Sequence, residues 1–292
     1  MKPLTRLFQL SLYTNVHFLP RTLEKLFSQP EPHSWREILE LLDGDPFCRI
    51  TSSQGWCSER WSCLDRWSEQ HSLHWTYPGD ANYPWRLQSL SIPPLILCYK
   101  GVPIWKNVEL ISVVGSREPT RDSLDWMRRH LLTMLENAEV GVASGGARGI
   151  DRAAHELSIL AGRPTICFLP SGILRPYPGN HHSLFANIVE SGGALISGFA
   201  PDAEMRKSYF HARNRWIAGI SSVTCVIEAQ RKSGSYLTAK MAMGEGRAIC
   251  TLPVSPMAGR GLANLDLIFD GAYMLRDQAD LLAYFASELR RS

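Results

Sequence analysis

The chain has 292 residues, 45% of them hydrophobic, and a formal net charge of +3. That length suggests two domains, and the small charge gives no argument for nucleic acid by itself. The first 110 residues carry 11 Lys+Arg and 11 Asp+Glu and the remainder 20 and 17, so any basic groove belongs to the later part.

Seven cysteines are present without a C-x-x-C pair, and Cys167, Cys225 and Cys250 lie in apolar runs. Such an odd count without metal spacing suits reduced thiols in a cytoplasmic protein. No apolar stretch reaches about 18 residues, so no membrane span is expected. The start, interrupted by Thr5, Arg6 and Gln9, lacks a secretory apolar core.

In chain order, residues 4–43 read as short helices, with Leu7, Leu10, Leu23, Leu26, Phe27, Ile38, Leu39 and Leu42 at helical spacing. Residues 44–76 hold Trp56, Trp61, Trp67 and Trp75, a density that favours anchoring one domain on another over stacking of bases. A turn-rich linker, 77–84, follows, then a strand at 95–99 after Pro93-Pro94. From Glu109 onward strands and helices alternate. Strands are expected at 110–114, 140–143, 165–169, 194–196, 223–227, 248–252 and 272–275. Helices are expected at 124–135, 150–160, 183–190, 214–220 and 236–245. Short apolar strands separated by helices mean a mostly parallel sheet covered on both faces. The fold class is therefore α/β, with a helical domain over 1–76 and the sheet domain over 77–292.

Ligands of such sheets bind beyond the carboxyl ends of the strands. Four clusters sit there: Gly115-Ser116-Arg117; Ser144-Gly145-Gly146-Ala147-Arg148-Gly149-Ile150-Asp151; Phe210 with Arg213-Asn214-Arg215; and Glu228 with Ser233-Gly234-Ser235 and Thr238. The second lies between an apolar run and an amphipathic one, so it reads as strand, tight loop, helix. Backbone amides of a glycine loop can point at an anion that the helix N-terminus also attracts. Arg148 adds a planar fork suited to phosphate. Neither the dinucleotide fingerprint nor the Walker A loop is present. The competing reading is a tight turn whose glycines serve packing.

Together with Tyr83-Pro84, Pro93-Pro94, Tyr177-Pro178 and the run Gly261, Asn264, Leu267, Ile268, Gly271, Ala272, these clusters closely resemble the DNA-processing protein A (DprA/Smf) family over roughly residues 77–280. The resemblance implies an extended Rossmann-like domain that binds single-stranded DNA. It also implies a mediator, not an enzyme, that protects incoming strands in natural transformation and loads the RecA recombinase. Homodimerisation through the Rossmann-like domain is implied too. Ser144 to Asp151 would form one wall of the pocket, and Arg117, after the Gly115-Ser116 turn, would reach a phosphate beside it. Lys207 would neutralise backbone phosphate, and Phe210 would stack a base.

Several roles stay open on the residues alone. Ser144 caps its turn or donates to phosphate. Arg117 reaches a phosphate or pairs with Glu118 or Asp122, and Arg148 does so or pairs with Asp151. Arg213 and Arg215 serve phosphates, or one of them pairs with Glu228. Ser235 and Thr238 line the pocket or cap the following helix. Asp151, in a first helical turn, reads as structural. Leu265, Ile268, Phe269 and Met274 form a dimer face or cover the last strand within one molecule.

Departures from the family pattern are Asn15-Val16-His17-Phe18 where a glycine hairpin often stands, which makes the first domain degenerate or SAM-like, and Pro253-Val254 for Pro-Gly. Only about 20 residues follow Gly271-Ala272, so no C-terminal winged helix is expected. The alternative is a nucleotide-binding or nucleotide-hydrolysing Rossmann-like protein. Related hydrolase folds carry P-G-G-x-G-T-x-x-E, and that spacing puts Thr238 where the glutamate stands. Threonine cannot be an anionic base. His155, His181, His182 and His211 lack metal spacing, and no cofactor is expected.

Overall fold

The computed structural model describes residues 3–12, 25–26, 37 and 58–291. The segment 15–18, Trp56 and most of the expected N-terminal helices lie outside the described residues. The helix α1 (Pro3–Ser11) buries Leu7 and Phe8, and α2 (Ser58–His71) buries Leu64. Phe8 meets Tyr77 ring to ring at 5.5 Å, and Arg6 pairs with Asp65 across the two helices.

Nine strands follow in the described residues. They are β1 (Leu73–Thr76), β2 (Leu97–Gly101), β3 (Glu109–Val114), β4 (Val140–Ser144), β5 (Thr165–Phe168), β6 (Ala194–Ser197), β7 (Val223–Val226), β8 (Ala248–Thr251) and β9 (Tyr273–Met274). They form one sheet in the order β1-β2-β6-β5-β4-β3-β7-β8-β9. β2 runs antiparallel to both of its neighbours; all other pairs are parallel. The fold is thus α/β with a Rossmann-like, mostly parallel sheet. Its central strands are buried throughout, which is why they read as unbroken apolar runs.

The connecting helices are α3 (Trp85–Gln88), α4 (Arg121–Trp126), α5 (Leu132–Asn137), α6 (Ile150–Leu160), α7 (His182–Glu190), α8 (Lys207–Ile220), α9 (Gly234–Gly244), α10 (Leu262–Phe269) and α11 (Gln278–Arg291). A single wide π turn, Met127–Leu131, joins α4 to α5. On one face Trp216, Ile217, Ala239, Ala242 and Leu267 pack onto Val114, Ile166 and Val226. On the other Met127, Leu131, Ile150, Ala154 and Phe285 cover Ile111, Val142 and Val223. Trp67 and Trp75 pack against a third cluster that includes Leu73, Phe185 and Leu195.

Among the departures from expectation, which include the helices α2, α3, α10 and α11, two bear on the sheet and the site. Residues 73–76 form the first strand, so the sheet begins before residue 77; an edge strand with exposed His74 carries no long apolar run. The helix expected from Asn214 begins at Lys207, because a polar first turn hides the 210, 213, 217 spacing of its inner face. From β3 the chain steps outward through β4, β5 and β6, then returns past β3 to β7. The reversal leaves a crevice at the carboxyl ends of β3 and β7, where open α/β sheets bind ligands.

Candidate functional site

The loop after β4 owes its path to its glycines. Gly149 has φ +80, and a side chain there would strike the Ser116 carbonyl; the amide of Ile150 donates to that oxygen at 3.0 Å. Gly146 has φ +66, with Cys167 Sγ and the Phe185 ring where its Cβ would go. Gly145 is needed for a different reason. A Cβ there would collide with the guanidinium of Arg213, which runs beneath the loop.

Arg213 comes from the second turn of α8 and is buried at 4% exposure. Its Nη1 lies 4.0 Å from Asp151 Oδ2, and its Cζ lies 5.4 Å from the Phe210 ring centroid. Among the described residues its guanidinium makes no hydrogen bond, and Nε is buried without a partner. Burial pulls Arg213 below the ordinary guanidinium value, with Asp151 opposing; arginine nevertheless keeps its charge. Burial pushes the Asp151 carboxyl up, while Arg213 and the amide of Ala147, at 3.4 Å, pull it down. One carboxylate at 4.0 Å leaves this buried cation short of acceptors, and a buried charge so poorly compensated is costly.

A cleft of two adjoining hollows, about 320 and 440 Å³, opens at this point, and Arg117, Ala147, Phe210 and Arg213 line both. Arg117 is exposed, lies 5.6 Å from the Phe210 centroid, and forms no ion pair among the described residues. Tyr177 sets its ring edge-on to Phe210 at 6.0 Å. Half-buried Phe210 therefore lines a cleft instead of filling a core, with two guanidinium groups against it.

Arg148 lines the first hollow but pairs with Glu118 at 2.6 Å, not with Asp151. That also removes Glu118 as a partner for Arg117. Arg215 is a correction to the expected site: it lies on neither hollow and sits 3.9 Å from Glu245, because it leaves α8 about 200° around the axis from Arg213. Glu228 pairs with neither arginine; its Oε2 accepts from Thr120 N, Thr120 Oγ1 and Ser123 Oγ at 2.9, 2.8 and 2.8 Å. Lys207, in the first turn of α8, is exposed and outside the lining of both hollows.

The hydroxyls turn inward. Fully buried Ser144 donates to the Val113 carbonyl at 2.6 Å, tying β4 to β3, so it neither caps the loop nor faces a ligand. Ser235 donates to the Gly115 carbonyl at 2.7 Å and Thr238 to the Gly234 carbonyl at 2.9 Å. Ser233 caps α9 by accepting from the amide of Tyr236 at 3.2 Å, and Ser116 Oγ accepts from the amide of Glu118 at 3.1 Å. Buried Asn214 places Nδ2 at 3.4 Å from the Gly234 carbonyl and lines the second hollow with Ser233, Gly234, Ser235 and Thr238. Ile268 is half-buried and Phe269 92% exposed at the end of α10, and Met274, 43% exposed, lies in the edge strand β9.

Comparison with known proteins bears on this arrangement. A model of the DNA recombination-mediator protein A family matches residues 74–286. The chain belongs to that family. Among its relatives is DNA processing protein DprA of Streptococcus pneumoniae, 34% identical over 206 residues, covering 70% of this chain and 72% of that protein. Protein Smf of Escherichia coli is 33% identical over 218 residues, 74% of this chain but 58% of its own length. The X-ray structure of the Streptococcus pneumoniae DprA superimposes with a TM-score of 0.77 at 27% identity, covering 98% of this chain and 99% of that one. DNA processing protein A of Helicobacter pylori, whose structure concerns its single-stranded DNA binding mode, shares the fold at a TM-score of 0.64 and 24% identity, over 74% of this chain and 97% of that one.

The family's matched region contains site residues that spacing alone did not single out. His181 lines the first hollow and holds the Gly146 carbonyl at 3.0 Å through Nδ1. His155 lies fully buried with Nδ1 at 2.7 Å from Thr165 Oγ1. Since Thr165 donates to the Val142 carbonyl at 2.9 Å, its oxygen accepts from the His155 ring, leaving Nε2 as a buried, unpartnered lone pair. Burial, with Arg213 and His181 nearby, pushes His155 down to about 3. Neither histidine belongs to a metal-type cluster among the described residues, and no helix there is long and apolar enough to cross a membrane.

Proposed function

We propose that the chain binds single-stranded DNA in this cleft, shields it, and passes it to the RecA recombinase during natural transformation. The observation that carries the reading is Arg213: a buried cation short of acceptors, beneath a glycine loop and beside an aromatic ring, at the sheet's reversal point. Arg117 extends the positive charge along the cleft, and Arg148 joins when a phosphate displaces Glu118. Lys207, exposed near the entrance of α8, receives the strand outside the cleft. Family membership supports DNA as the ligand.

Phe210 favours a single strand because an unstacked base can meet the ring, whereas duplex bases are already stacked. The chain works as a binding protein and not as a hydrolase. Thr238 is spent on the Gly234 carbonyl, Asp151 faces Arg213, and Glu228 is engaged by Thr120 and Ser123, so none of these serves as a base in the cleft. Two copies associate through Ile268, Phe269 and Met274, where β9 leaves the sheet edge apolar and open.

The test is an anisotropy titration of labelled oligonucleotide at several salt concentrations, wild type beside Arg117→Ala. Single strand binds far more tightly than duplex, and log affinity falls with log salt by about 0.7 per phosphate neutralised. Arg117→Ala lowers that slope by about one phosphate's worth. Equal affinity for duplex and single strand rejects the reading. RecA loading is read separately, as filament formation on single strands coated with a competing binding protein.

A further inference from the structure

Beyond the ends of β7 and β8 lies another hollow, about 680 Å³, larger than either half of the cleft. Trp126, Leu252, Pro253 and Val254 give it an apolar wall, and Asp122, Ser123 and Ser255 also line it. Residues 116–120 divide it from the cleft: Arg117 lines the cleft, and Thr120 lines this hollow. Glu228, at 3% exposure, is among its lining residues. Three donors converge on its Oε2, while Oε1 is buried with no partner among the described residues. A buried acceptor without a donor is costly, and a ligand N–H removes that cost. At the rim, exposed Arg260 gives one donor to the Glu118 carbonyl and keeps others free. Arg276 is also there, but Asp280 clamps its Nε and Nη2 at 2.8 and 2.7 Å.

An apolar slot with an aromatic wall, one buried acceptor and a cation at the mouth fits a narrow class of ligand. We propose that this hollow is a second ligand site, taking a nucleotide whose base carries an exocyclic amine. The base lies against Trp126, the amine donates to Glu228 Oε1, and the phosphate meets Arg260. The position agrees with the rule that open α/β sheets bind ligands outside the carboxyl ends of their strands. The same chemistry can arrive as a free mononucleotide or as one residue of a bound strand. The proposal does not depend on what occupies the first cleft.

The test is calorimetry on the full chain with AMP and with purine riboside 5′-monophosphate, which lacks only the amine. AMP binds this hollow, and the analogue without the amine binds it at least about tenfold more weakly. Glu228→Gln can keep the contacts with Thr120 and Ser123 while presenting an amide donor to the amine, so AMP affinity falls by a similar factor. Arg260→Ala, on an exposed side chain, weakens AMP but not adenosine. Repeating the AMP titration with oligo-dA and oligo-dT at saturation separates the sources. Displacement by oligo-dA alone assigns the site to the strand, and binding undisturbed by either assigns it to free nucleotide. Failure of wild type to bind AMP, equal affinity for the two purines, or unchanged AMP affinity in Arg260→Ala overturns the proposal. Should Glu228→Gln lose its cooperative melt, Arg260→Ala and the analogue pair decide the matter.

Discussion

Replacing Gly145 by alanine isolates the buried guanidinium. The backbone at 145 is not in the left-handed region, so alanine brings no conformational strain, only a methyl group. That methyl falls on Arg213 Nη1, 2.6 Å from Cζ and 2.9 Å from Asp151 Oδ2. Ordinary carbon contact requires ~3.5 Å, so the guanidinium must retreat by about 2 Å. At an effective dielectric constant of about 20, moving its charge from ~3.5 to ~5.5 Å from a phosphate costs roughly 1.7 kcal/mol, about 20-fold in affinity. A long side chain that can swing keeps the stability loss to roughly 1–2 kcal/mol, within the usual range for overpacking. Anisotropy titration of a single-stranded oligonucleotide reads the first quantity, and urea unfolding reads the second. A folded Gly145→Ala protein with wild-type affinity would show that Arg213 does not serve the bound phosphate.

Three other outcomes follow from the same geometry. His155 titrates at about 3 in the folded chain against an ordinary 6.5, so the unfolded state binds more protons between these values. Stability is full above pH 6.5 and drops as pH falls toward 3, by about 2 kcal/mol at pH 5; His155→Asn keeps a donor for Thr165 and loses this slope in unfolding titrations. Burial raises Asp151, which acts in the opposite sense and is shared by both proteins, so their difference reports His155. Asn264→Ala removes contacts to Ala229 N, Ile227 O and Leu252 O at 2.9, 2.9 and 3.1 Å in a fully buried site, and thermal melting registers a loss of about 3 kcal/mol or more. Arg148→Ala lowers the salt slope of oligonucleotide binding by about 0.7 while leaving the melting temperature within a degree or so, because its pair with Glu118 is exposed.

The central strands were legible because burial on both faces strips them of polar residues, as in Val113-Val114 and Val223 to Val226. The glycine loop was legible because φ values of +66 and +80 admit few other residues. Charge pairing was not. Arg148, Arg213 and Arg215 each sit near a carboxylate, but Glu118, Asp151 and Glu245 are assigned by tertiary placement that spacing does not encode. Hydroxyls were equally opaque: Ser144, Ser235 and Thr238 stand in the ligand-facing motif yet donate to main-chain carbonyls. The first strand escaped notice because an antiparallel edge has one dry face and a short register.

The glycine loop and its buried cation are separated by more than sixty positions in the chain. During synthesis, residues 144–149 emerge well before Arg213, which must wait for α6, β5, α7 and β6 and then for the first half of α8. Until that helix docks, Asp151 lacks the nearer of the two guanidinium groups that act on it, Arg213, and has only Arg117. A nascent chain therefore lacks the buried guanidinium of its cleft until α8 has been made. If the proposed cleft holds single-stranded DNA, a ribosome-bound fragment ending near residue 205 retains the glycines and binds an oligonucleotide more weakly than the full chain.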